Sequence, residues 1–206
     1  MEIYSTDEQQ AEAIKQFFRD NGVSLALGIV IGLGGLYGWK AYNQNQISNA
    51  EAASSAYSSI AESGEILASA DSFIKDNAES NYAVLAAFVA AKEAVDSNQY
   101  GVAAEKLRFA ADSVKNPELK ATALTRLARV QLADKKLDDA LATLEAVMPT
   151  SFNAQVSEIR GDVYLEKGDK QSARTHYQAA VSASEDGNNT LLQNKLDDLA
   201  IAQTAV

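Results

Sequence analysis

Reactive side chains are scarce in this chain. Its 206 residues include one histidine, His176, and no cysteine. Thiol nucleophiles, disulfides, thiol redox chemistry and zinc ribbons are therefore excluded, and no histidine pair exists for an H-E-x-x-H metal site. Neither a P-loop nor a G-x-S-x-G elbow is present. Asp138 and Asp139 are adjacent carboxylates, but they fall in the first turn of an expected helix, where acids favour the macrodipole. Glu166, Lys167 and Asp169 surround a glycine-containing turn and read as solvated loop charges. His176, between Thr175 and Tyr177, reads as a packing or solvent-facing side chain. No catalytic, metal or cofactor site emerges. The expectation is a protein that is not an enzyme, uses no cofactor and works by binding.

The elements that would position a binding surface are helices. Val-, Ile- and Thr-rich alternation is absent, and the two prolines, Pro117 and Pro149, fall between helical patterns. From about residue 80 the helices come as repeating pairs. Ala103, Ala140 and Ala173 fall in register, followed four residues later by Leu107, Leu144 and Tyr177, and then by Ala110, Val147 and Ala180. Upstream, Ala91, Ala128 and Gly161 share one small position. Small residues let two antiparallel helices approach, and large ones a turn later fill the gap to the next pair. One pair cannot bury both faces, so the pairs stack.

This spacing resembles the tetratricopeptide repeat. The third repeat fits best, with Gly161, Tyr164, Gly168, Ala173, Tyr177 and Ala180 in place; Ala94 and Gln131 replace the tyrosine elsewhere, and Asn98 and Lys135 replace Gly168. The expected fold is all-α: one N-terminal transmembrane helix, then a tetratricopeptide-like solenoid closed by a capping helix. The cap begins near Asn188 and sets Leu192, Leu196 and Leu199 on one face. In such solenoids the first helix of each pair lines the concave surface. By position, that face here would be Leu85, Phe88, Lys92 and Val95, then Thr125, Arg129 and Leu132, then Glu158, Asp162 and Leu165. Its aliphatic, aromatic and charged groups suit an extended polypeptide, although some of these positions compete with core packing between repeats.

Residues 21 to 39 carry no Asp, Glu, Lys or Arg. Nineteen helical residues span roughly 28 Å, close to a bilayer's hydrocarbon thickness. Tyr37, Trp39, Lys40 and Tyr42 form an interfacial belt at the end of the segment. A cleavable signal is disfavoured by the acidic start, where Glu2, Asp7, Glu8, Glu12 and Asp20 outnumber Lys15 and Arg19. The basic residues still lie mainly before the span, so the N-terminus is expected in the cytoplasm. Gly28 and Gly32, and Gly34 and Gly38, form two G-x-x-x-G pairs that favour close contact with a neighbouring membrane helix.

The resulting divisions are a short cytoplasmic segment at 1–22, a transmembrane helix at 23–42, a helical connector and solenoid start at 43–79, and a repeat domain at 80–206. From Asn43 onward 23 acids face 15 bases, a net charge of −8 that argues against nucleic acid as a partner. Asn188-Asn189-Thr190 matches a glycosylation sequon but reads more simply as a polar helix start.

Taken whole, the chain resembles the ancillary subunit of the bacterial Sec translocon, an inner-membrane protein family. The likeness is strongest in MEIYSTDEQQAEAIKQFFRDNG, in the anchor ending Gly38-Trp39-Lys40, in TRLARVQLADKK and in RGDVYLEKGDKQSAR. It implies a bacterial inner-membrane protein with a cytoplasmic N-terminus and a periplasmic repeat domain. The implied partners are the Sec translocon, a membrane-anchored periplasmic chaperone of the prolyl-isomerase class, and unfolded exported proteins handed on to such chaperones. An alternative implied role is a scaffold restraining an envelope-stress response regulator through the cytoplasmic segment.

Overall fold

The structure is a computed structural model that describes residues 7–184 and 190–204. The sequon residues Asn188 and Asn189, and the first six residues of the segment preceding the span, lie outside the described part. The described residues form helices and no strand. The chain divides into two units, Met1–Ala52 and Ala53–Val206.

The first unit is helical from Asp7 onward, as part of helix α1 (Asp7–Glu62). The acidic and aromatic residues from Asp7 to Asp20 thus run in the same helix as the apolar stretch. This helix is long and apolar enough to cross a membrane, and its apolar window is wholly unburied within the chain. Ile29, Val30, Ile31 and Trp39 are all more than half exposed. Apolar side chains in that state need a lipid or protein environment.

The second unit begins with the last turns of α1, where Ala53 and Ile60 are buried against Ala70, Phe73, Ala86 and Ala90. Then come α2 (Ile66–Asp76), α3 (Asn81–Asp96), α4 (Tyr100–Ser113), α5 (Pro117–Ala133), α6 (Leu137–Thr143), a 3₁₀ turn (Thr150–Phe152), α7 (Asn153–Glu166), α8 (Lys170–Ala183) and α9 (Thr190–Thr204). Neighbours in sequence pack together throughout from α2 to α9, and α5 also meets α7.

Local chemistry sets the boundaries. Ser80 accepts a hydrogen bond from the Tyr82 amide, Asn116 from Leu119, and Asp169 from Ser172, so three helices begin on a side-chain cap. Pro117 takes the first position of α5, where its missing N–H costs nothing.

The repeat register is visible in the burial. Ala103, Ala140 and Ala173 are fully buried, and Leu107, Leu144 and Tyr177 fill the gaps at 2% exposure or less. Each buried leucine contributes about 1.5–3 kcal/mol of transfer free energy. The three turns after α3, α5 and α7 also match. Asn98, Lys135 and Gly168 all adopt positive φ, at 58°, 59° and 81°. The amides that follow, of Gln99, Lys136 and Asp169, close onto the carbonyls of Ala94, Gln131 and Tyr164 at 2.7–2.9 Å. This is the six-to-one closure of a left-handed helix cap, repeated three times with only one glycine.

One aligned position departs from the pattern. Ala110 and Ala180 are buried, but Val147 is 99% exposed. The reason is that α6 has only seven residues where α4 and α8 have fourteen. Helix α6 ends at Thr143, and Pro149 further on disfavours helical geometry at Met148, so the chain around Val147 is non-helical and its side chain is not turned inward. Arg160 of α7 reaches the exposed end and donates from Nη2 to the Leu144 carbonyl at 2.8 Å.

Candidate functional site

Helices α3 and α5 place four of the expected concave-face residues around one cleft. Phe88, Lys92 and Val95 come from α3 and Arg129 from α5, and the cleft between them holds about 350 Å³. Ala91 and Leu107 supply an apolar floor, and Arg126 stands over the Phe88 ring with its guanidinium carbon 5.0 Å from the centroid. Lys92 pairs with Asp96 one turn on, and this exposed partner holds its ammonium above the ordinary lysine value.

A second cleft of about 350 Å³ joins the next two helices of the series. Leu132 of α5 faces Asp162 and Leu165 of α7, with the ion pair of Lys135 and Glu166 at its edge at 2.7 Å. Leu85 is exposed and lines neither cleft.

Thr125 differs from the expectation that it faces the groove. It is fully buried, and its hydroxyl donates back to the carbonyls of Ala121 and Thr122. The side chain satisfies itself within its own helix and presents nothing to a ligand. Glu166, Lys167 and Asp169 also do more than dissolve a loop: Lys167 pairs with Asp138 of α6, Glu166 with Lys135, and Asp169 caps α8. The Ser172 hydroxyl and amide both bond Asp169 and hold its carboxyl below the usual carboxylate range.

Glu158 and Asp162 are engaged from within the chain. Lys195 of α9 donates to Glu158 at 2.9 Å and to Asp162 at 2.7 Å, and the Tyr177 hydroxyl also donates to Asp162 at 2.7 Å. Burial pulls the Lys195 ammonium down, but its two carboxylate partners outweigh this and leave it raised. Burial, aided by the bond to Asp162, pushes the Tyr177 phenol far above the ordinary tyrosine value. His176 stacks on Tyr164 with ring centroids 5.1 Å apart, and burial followed by the nearby Arg160 charge holds its imidazole below the usual value.

Two contributors have different visibility in the sequence. Arg126 lies three residues before Arg129, so helical spacing alone could have placed it on the same face. Lys195 carries no such signal, because its partners lie more than thirty residues upstream on another helix.

In the first unit, a Cβ at Gly28, Gly32, Gly34 or Gly38 would meet nothing of this chain within 4 Å. Among the described residues no group of three or more His, Cys, Asp or Glu side chains is placed to hold a metal ion. Both clefts offer apolar floors with charged rims, an arrangement suited to binding polypeptide.

Comparison with known proteins covers the same length of chain. The family model for a tetratricopeptide repeat-like domain matches residues 15–201. A protein of Escherichia coli (strain K12) named ancillary SecYEG translocon subunit is 36% identical over 207 residues, covering 98% of this chain and all of the relative. Proteins of the same name from Aggregatibacter actinomycetemcomitans and Haemophilus influenzae are 31% and 28% identical, each covering 94% of this chain and 97% of the relative. No solved structure matches.

Proposed function

The chain belongs to the family of ancillary SecYEG translocon subunits and carries that family's tetratricopeptide repeat-like domain; from this premise we propose a non-catalytic, membrane-anchored protein-binding module. It sits beside the Sec translocon in the inner membrane, with its N-terminus in the cytoplasm and its repeat domain in the periplasm. There it receives exported polypeptides and passes them to periplasmic chaperones, among them a membrane-anchored one of the prolyl-isomerase class.

The observation that carries the proposal is the match to the translocon subunits over nearly the whole chain, apolar stretch and repeats alike. The bias of Lys15 and Arg19 to one side of the span supports the orientation. The clefts at Phe88 and Leu132 support polypeptide binding. Anchoring raises the effective concentration of such clefts at the channel exit without any added contact.

The test is native purification after gentle solubilisation, combined with photocrosslinking from Phe88, Arg129 and Leu165. Recovery of translocon subunits and a periplasmic chaperone, with crosslinks to exported chains, is the expected result. Recovery of neither partner overturns the proposal. Deleting residues 2–20 while keeping the span tests separately for a regulatory role of the cytoplasmic segment toward an envelope-stress response regulator.

A further inference from the structure

We propose that the cleft between α3 and α5 selects polypeptide segments in which acidic side chains flank an apolar one. The inference rests on the protein-binding reading above and names the chemistry that one of its surfaces would prefer.

The observation is a local reversal of charge. The chain as a whole is acidic, with a net charge of −10. Yet the charged side chains around this cleft, Lys92, Arg126 and Arg129, are all cationic. Lys92 is already paired with Asp96. Among the described residues, neither Arg126 nor Arg129 forms a salt bridge, and both are exposed. Arg126 instead lies over the Phe88 ring, which holds the guanidinium in place and leaves its N–H edge available.

Two exposed guanidinium groups one helical turn apart, beside an apolar floor, are built to meet carboxylates. Arginine presents planar, bidentate donors and loses little hydration when it pairs. The floor of Ala91, Val95 and Leu107 takes an aliphatic or aromatic side chain, and about 350 Å³ accommodates one such anchor together with its neighbours. The chain's overall negative charge does not cancel this preference at contact. At physiological ionic strength charges are screened beyond about 8 Å, so the groups within the cleft decide which segment is retained. A basic segment would place like charges together there and be rejected.

The experiment uses the full chain in lipid nanodiscs and fluorescence anisotropy. The probes are a short extended peptide with Asp and Glu flanking Leu and Phe, and the same peptide with Lys at the acidic positions. The acidic peptide should bind at least about tenfold more tightly, and R126E/R129E should invert that order. Arg129→Glu alone, which leaves the Phe88–Arg126 contact intact, should weaken the acidic peptide and strengthen the lysine one. Equal binding of the two peptides, no binding of either, or an acid preference unchanged by both variants overturns the inference. So does self-association of the chain that Arg129→Glu abolishes, since a second copy would then be the occupant. Translocon recovery is followed in parallel. Exported chains crosslinked at Phe88 without charge preference defeat this inference alone, whereas lost translocon recovery with the peptide preference intact defeats only the functional proposal.

Discussion

Gly161 of α7 faces the ring of Tyr177 on α8 so closely that a Cβ added at position 161 would fall inside the van der Waals envelope of ring carbons Cδ1 and Cε1, and 3.1 Å from Cζ. The other two repeats place Ala91 near Leu107 and Ala128 near Leu144 in the same cores. The two positions therefore trade volume: glycine where the partner is tyrosine, alanine where it is leucine. Close packing allows no other solution without a void or a clash.

That trade predicts an unusual sign for a common substitution. Gly→Ala within a helix ordinarily stabilises by about 0.4–1 kcal/mol. Gly101→Ala in α4, where a Cβ meets nothing within 4 Å, should do so. Gly161→Ala should instead destabilise by about 1–3 kcal/mol, because the buried Tyr177 ring has nowhere to move. In a double-mutant cycle, Gly161→Ala with Tyr177→Leu should lose less than the sum of the single changes. Denaturant melts of the full chain measure all four terms, and strict additivity would show that the two side chains are not coupled.

The left-handed turns give a second prediction. Lys135 holds a φ of 59°, a region that costs a residue with a Cβ about 1–2 kcal/mol. Its exposed bridge to Glu166 returns no more than about 1 kcal/mol. Lys135→Gly should therefore raise the thermal midpoint despite losing an ion pair. Gly168→Ala, made at the equivalent turn, should lower it.

The pH dependence of stability should fall off on both sides of neutrality. His176 and Asp169 both hold depressed values when folded, His176 chiefly through burial and Asp169 through its bonds to Ser172. Below about pH 6.5 the unfolded histidine takes up a proton that the folded one resists, and below about pH 4 the same holds for Asp169, so stability is lost with acid. On the alkaline side, Tyr177 and Lys195 are both raised in the folded chain. Their stabilisation is full below the unfolded values near 10 and is lost as pH rises above them. Tyr177→Phe should lower stability at neutral pH, where the bond to Asp162 is lost, and flatten the alkaline limb of a plot of melting temperature against pH.

In the apolar helix, Gly32→Leu keeps the hydrophobic length but adds bulk to a face that meets nothing in this chain. Membrane insertion should persist while co-purification with the translocon falls. Undiminished co-purification would reduce the segment to a tether.

Much of the architecture was legible in the residue pattern because small and large side chains alternate with a helix-pair period. The register of Ala103, Ala140 and Ala173 survives in the burial of all three. The turn position shared by Asn98, Lys135 and Gly168 survives in their backbone angles. Val147 escaped because alignment assumes equal helix lengths, whereas α6 already ends at Thr143. Thr125 escaped for a related reason: a period places a residue on a face but does not say whether a neighbouring helix covers that face. The links from Lys195 to Glu158 and Asp162 depend on where α9 docks, which no local pattern encodes.

The shortness of α6 has a consequence for how the repeats share their stability. In a linear array, each unit is held by its own folding free energy and by its coupling to its neighbours. With seven residues, α6 has half the helical length of α4 or α8 to offer its neighbours. The middle repeat is therefore the weak bond in the series. Amide hydrogen exchange should therefore find a boundary between more and less protected segments at Leu144 to Phe152.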